Sequence, residues 1–129
     1  MIKMGITVAL GNDGAANNNT LDMFREMLRV ATIHSEARID AAAVTAADAF
    51  DMGTVNGAKA CMWEDVGTVE VGKKADVIVV NVTAPHMVPH HDLISNFVYC
   101  ANGHDVDTTI VDGNVLMENA MSLSLTRQR

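Results

Sequence analysis

The chain has 129 residues, 49% of them apolar, and a formal charge of −7. That length fits one domain of ordinary size, able to bury roughly two-thirds of its unfolded surface, and the apolar content excludes a disordered tail. The negative charge argues against non-specific binding to nucleic acid or anionic lipid, and with 4% aromatic residues there is no basic-aromatic interleaving for single strands.

Met1-Ile2-Lys3-Met4 leads straight into an apolar run without a signal-peptide pattern. Gly5-Ile6-Thr7-Val8-Ala9-Leu10 reads as a strand buried on both faces. It stops at Asp13, and a turn rich in Gly and Asn follows to Asn19. Asn19 or Thr20 is expected to cap a helix whose apolar positions are Leu21, Phe24, Leu28 and Ala31, ending near His34. After a polar connection from Ser35 to Asp40, Thr45-x-x-Asp48 forms a capping box for a second helix. Ala46, Ala47, Ala49, Phe50 and Met52 are its apolar side, Gly53 interrupts it, and Asn56 to Cys61 continues as a short helix.

Past Trp63 the period changes, and Val66, Val69 and Val71 read as extended. Asp76 to Asn81 is the strongest strand signal, expected to pair with the terminal hairpin. Pro85 and Pro89 bracket a loop holding His86, His90 and His91, before a short helix from Leu93 to Tyr99. Asp112-Gly113, between Thr108–Val111 and Asn114–Met117, marks a hairpin. The tail from Ser122 to Arg129 is expected to fray. No stretch is apolar enough to cross a membrane. Cys61 and Cys100 lie far apart, as reduced thiols of a cytosolic protein would.

Asp13 carries the chemistry. A buried strand that delivers one carboxylate to its C-terminal end is how an α/β barrel presents a metal ligand. A hard oxygen there suits zinc, iron or another divalent ion, and near an activated water it could accept a proton. The competing role is to cap the next helix or brace the turn. Asn17, Asn18 and Asn19 either line a substrate pocket through their amides or cap the loop. Two of His86, His90 and His91 could meet one ion, but their loop has no helix to fix them, which favours structural roles. His34 suits a helix C-terminus and His104 a turn. The nine methionines read as core filling. Gly72-Lys73-Lys74 is a tight turn with solvated lysines, not a phosphate cradle.

The run from Gly11 to Asn19, continued by Leu21-Asp22-Met23-Phe24-x-Glu26-Met27, resembles the segment after the last barrel strand of amidohydrolases. The similarity is to the aminohydrolase and chlorohydrolase branch, which includes S-adenosylhomocysteine and methylthioadenosine deaminases and triazine hydrolases. Thr54–Ala60, Gly67–Asp76, Pro85-His86-x-x-Pro89-x-His91-Asp92, Ser95-Asn96-x-Val98-Tyr99 and Val111-Asp112-Gly113 follow in the family's order. Asn12 stands where Thr or Ser is common, and Asn17 where Ser is common.

The resemblance implies an α/β fold: the C-terminal part of a (β/α)8 barrel over residues 1–64, then part of a small β-sandwich domain over 65–129. Asp13 would bind the metal, zinc or iron, and shuttle protons, while Asn17 and Asn18 would lie near the substrate. His86 and His91 match a segment outside the catalytic centre. The implied reaction is hydrolysis of C–N or C–Cl bonds in nitrogen heterocycles. The family's His-x-His pair, two later histidines and a glutamate have no counterpart in these 129 residues. A whole barrel needs about 250 residues, and this chain opens at the last strand. The expectation is therefore a portion of an enzyme, inactive and without tightly bound metal as this isolated chain. It would be cytoplasmic, and either joined to a missing N-terminal portion or homo-oligomeric. The alternative is a stand-alone, non-catalytic binding or structural protein derived from a hydrolase remnant.

Overall fold

A computed structural model describes residues 1–123. Among these residues five α-helices follow in chain order: α1 (Ala15–Asn18), α2 (Met23–Arg38), α3 (Ala46–Gly53), α4 (Val55–Ala60) and α5 (Leu93–Tyr99). Four strands, β1 (Val77–Val80), β2 (Val106–Val111), β3 (Asn114–Glu118) and β4 (Met121–Ser122), make one antiparallel sheet in sequence order.

The core sits among α2, α3 and α5. Phe24, Met27 and Ala31 on α2 recur at helical spacing and meet Ala49 and Met52 of α3, Val98 of α5 and Val44 of the connecting loop. Phe50 and Phe97 stack beside them with ring centroids 6.1 Å apart. Asp22, not Asn19 or Thr20, caps α2: its Oδ1 accepts the Phe24 N–H at 3.0 Å. Asn19 instead closes α1 in the left-handed region, so the helical pattern starts two residues later than Leu21. Asp22 also accepts the Gly103 N–H at 3.0 Å, tying the start of α2 to the turn before β2. At its other end α2 runs past His34 to Arg38 and is closed by Ile39 at φ 51°.

The capping box forms as expected, with Thr45 and Asp48 exchanging hydrogen bonds across the first turn of α3. Loop 64–76 is not extended at Val69 and Val71, which are fully solvent-facing, but turns at Gly67 and Gly72. Gly67 is needed there: its φ is 93°, and a Cβ would lie 2.7 Å from that of Ala58 on α4.

The expected strand at Gly5–Leu10 is absent. Gly5 at φ 71° ends a 3-10 turn over Ile2–Met4, and the residues that follow have no neighbouring strand. A β-strand exists only as one side of a ladder, so the apolar run satisfies itself on helices instead. The Leu10 N–H donates to the Met52 carbonyl at 3.0 Å, and Asn56 Nδ2 donates to the Val8 carbonyl at 3.1 Å. Val8 and Leu10 pack half-buried on the core. In contrast, β1 pairs with β2, and Asp112 and Gly113, both at positive φ, turn β2 into β3 as the sequence predicts. Of the tail, Met121–Ser122 forms β4; residues 124–129 lie outside the described residues.

Three methionines, Met27, Met52 and Met87, fill the interior, whereas Met1, Met4, Met62 and Met121 are exposed, so core filling accounts for only part of the set.

Candidate functional site

Asp13 stands exposed on the turn that joins the half-buried Leu10 segment to α1. Its φ of 58° places it in the left-handed region, which Asp and Asn enter more readily than other side chains. That geometry folds the carboxylate back over the next peptide. Oδ1 accepts the Gly14 N–H at 2.6 Å, and Oδ2 accepts Asn17 Nδ2 at 3.2 Å. The Gly14 N–H first and the Asn17 amide second hold the Asp13 carboxyl below its ordinary value of 3.8, because both bonds favour the charged form.

Asn17 and Asn18 therefore sit with Asp13 on one turn, but they do different things. Asn17 is exposed and donates to the carboxylate. The Asn18 amide is engaged at both ends: Nδ2 donates to the Asn12 carbonyl at 2.8 Å and to Glu26 Oε1 at 2.9 Å, and Oδ1 accepts Arg29 Nη1 at 2.6 Å. Glu26 and Arg29 pair directly on α2. An i,i+3 Glu–Arg pair is a common surface feature, so only the fold connects it to the turn. Asn12 Oδ1 is buried with no hydrogen-bond partner among the described residues.

Two of the histidines, His86 and His90, have protein partners away from the turn. His86 Nε2 meets Oδ2 of the buried Asp105 at 3.0 Å, and His90 Nε2 meets the Val82 carbonyl at 2.7 Å. Asn102 caps the short turn that carries His104. Among the described residues no three His, Cys, Asp or Glu side chains come together to hold a metal. The chemistry of Asp13, an exposed carboxylate oriented by two hydrogen bonds, fits one oxygen ligand of a divalent ion; the described residues do not by themselves close a metal centre.

Residues 1–116 match the amidohydrolase family. The chain belongs to that family. This amidohydrolase chain is 51% identical over 120 residues to a 5-methylthioadenosine/S-adenosylhomocysteine deaminase of Thermoanaerobacter pseudethanolicus, a match covering 92% of this chain and 28% of that protein. The chain thus spans little more than a quarter of the length of that curated relative. An adenosine deaminase structure from Xanthomonas campestris with bound zinc superposes with a TM-score of 0.91 at 32% identity, covering 95% of this chain and 28% of that one. An atrazine chlorohydrolase from Arthrobacter aurescens, complexed with zinc, gives a TM-score of 0.86 at 25% identity over 98% of this chain and 29% of that one. The fold described above is thus the fold of a segment of amidohydrolases, a family with zinc-bound members.

Proposed function

We propose that this chain is the C-terminal part of a metal-dependent hydrolase that cleaves C–N bonds of nitrogen heterocycles, with purine nucleosides such as methylthioadenosine as the preferred class. The observation that carries this reading is the Asp13 turn: an oriented, exposed carboxylate of lowered pKa within a sequence half identical to a named deaminase.

A bound divalent metal, zinc in the neighbouring structures, would supply Lewis acidity to a water molecule. Asp13 would offer that ion a carboxylate oxygen. The hydrogen bonds from Gly14 and Asn17 favour the charged form of Asp13, the form that binds a cation or accepts a proton. Asn17 keeps the carboxylate aimed and faces the substrate side of the turn. Asn18 shapes that side from beneath, its own amide being engaged within the protein.

Residues 1–64 act in this reading as the end of the barrel and 65–129 as part of a composite β domain, joined where α5 packs on α2 and α3. The face formed by Met1, Ile2 and Met4 borders an apolar cavity of about 350 Å³ that Val30, Val44 and Met52 also line. Large exposed apolar areas are uncommon on soluble monomers. We infer that this face is covered in the working protein, by the remainder of a barrel or by a second copy. Light scattering of the isolated chain at micromolar concentration is expected to give a dimer or larger species; a clean monomer whose amides at 6–10 exchange fast contradicts that. The two exposed free cysteines suit a reducing, cytoplasmic setting.

The test of function is a chimera in which this chain replaces the matching segment of the Thermoanaerobacter deaminase. Ammonia release from methylthioadenosine is expected from the chimera and not from the isolated chain supplied with zinc. A folded chimera without deaminase activity, or an isolated chain with zinc-dependent turnover, overturns the reading.

A further inference from the structure

We propose that Arg29 and Glu26 of α2 are positioning residues for Asp13, acting through the side chain of Asn18. The proposal deepens the functional reading above, since it rests on Asp13 being the site carboxylate.

The argument begins with how the turn is pinned. The carbonyl of Asn12, in the peptide before Asp13, and that of Gly14, in the peptide after Gly14, are both held by Asn18. Its side-chain Nδ2 takes the first at 2.8 Å, and its backbone N–H takes the second at 3.0 Å. Asn18 thus fixes the peptide before Asp13 and the one after Gly14, while the Asp13 carboxylate takes the N–H of the peptide between them, and Asp13 is kept at φ 58°. A non-glycine residue in that region persists only where its surroundings over-determine it.

The pin works only if the Asn18 amide points the right way. The oxygen and nitrogen of an Asn side chain have nearly the same shape, and a half-turn exchanges them. After such a turn, oxygen would face the Asn12 carbonyl oxygen, and the bond would become a repulsion. Two groups on α2 prevent this. Arg29 Nη1 is a donor only and sits 2.6 Å from Oδ1; Glu26 Oε1 is an acceptor only and sits 2.9 Å from Nδ2. Arg29 and Glu26 also pair with each other, so the donor and acceptor hold one another in register. The Glu26 side chain is largely buried at 15% exposure, and Arg29 is 44% exposed. With Arg29 open to solvent, the pair contributes little to stability. Its consequence lies in the orientation of one amide and, through it, of one carboxylate.

The test is ¹H–¹⁵N spectroscopy on the full chain, comparing wild type with Arg29→Met, Asn18→Asp and Arg29→Lys. The probes are the Gly14 backbone amide and the Asn17 side-chain amide, the two groups that touch the Asp13 carboxylate. In Arg29→Met both signals are expected to move, and the Gly14 amide to exchange about tenfold faster, the scale of one lost hydrogen bond. The melting temperature should stay near that of wild type. Asn18→Asp, which puts an oxygen where Nδ2 was, should reproduce the loss. Arg29 serves both partners with a single nitrogen, so Arg29→Lys should restore the wild-type signals. Unchanged Gly14 and Asn17 signals in Arg29→Met, with shifts confined to α2, overturn the proposal. So does an equal loss in Arg29→Lys and Arg29→Met. These signals report the network alone, whereas ammonia release from the chimera reports the function, so either can fail without the other.

Discussion

Phe24 of the helical core follows Asp13 by only eleven residues, yet the core and the Asp13 turn are held by different physics. The core is apolar side chains packed out of water: Ala49 and Val98 are wholly buried, and Met27, Met52 and Ala31 nearly so. No residue of the turn is fully buried, although the Asn12 side-chain oxygen is shut off from solvent. It keeps its shape through hydrogen bonds from Gly14, Asn17 and Asn18, anchored on α2 by Glu26 and Arg29. The core sets whether the chain folds, and the turn sets what a folded chain can do. Stability and function should therefore respond to different substitutions.

Truncating the core should have the largest effect on stability. Met52→Ala removes a side chain at the junction of α2, α3 and the Leu10 segment, and should cost about 2–5 kcal/mol in chemical denaturation. A cost below about 1 kcal/mol would mean that the core is not where the comparison puts it. Gly67→Ala comes next, since it combines a left-handed backbone with a Cβ pressed against Ala58. Roughly 1–3 kcal/mol is expected, and more than for Gly72→Ala, where φ is 95° but the space is open. Equal costs at the two glycines would show that α4 yields to the added methyl.

Thr45→Ala removes the cap of α3 and should cost about 1 kcal/mol. Acid should act in the same direction. Asp48, held low first by the Thr45 hydroxyl, and Asp92, held low first by the Ser95 hydroxyl, both have folded values below the ordinary 3.8. Groups depressed in the folded state add stability above their unfolded value and lose it as pH falls through the folded one. Melting temperature should therefore be flat above about pH 5 and fall below pH 4. In Thr45→Ala the part of that fall due to Asp48 should shrink. The smallest effect belongs to the turn: Asp13→Asn should cost less stability in chemical denaturation than any of the substitutions above. A larger loss would make Asp13 a structural brace and erase the distinction between the two regions.

These two regions were also unequally legible in sequence. Elements specified by local chemistry are where the residues say they are. Thr45 and Asp48 close their box, and Asp112-Gly113 turns its hairpin because both residues accept positive φ. The strand read at Gly5–Leu10 fails because strand identity depends on a neighbour, and no strand lies beside it among the described residues. The start of α2 was misplaced because Asn19, Thr20 and Asp22 are all able caps; the choice fell to Asp22, which also reaches Gly103 across the fold. Asp13 was visible from the apolar run ending at an acid. The roles of Asn18, Glu26 and Arg29 were not, because they depend on how α1 folds back along α2.

The central claim is that the Asp13 carboxylate is a metal ligand in an amidohydrolase site. The most direct measurement is the zinc affinity of the purified chimera with the Thermoanaerobacter deaminase, comparing Asp13 with Asp13→Asn. The account predicts that zinc binding weakens by about 100-fold or more in Asp13→Asn, with an unchanged melting temperature for the metal-free protein. Equal zinc affinity in the two folded proteins would contradict it.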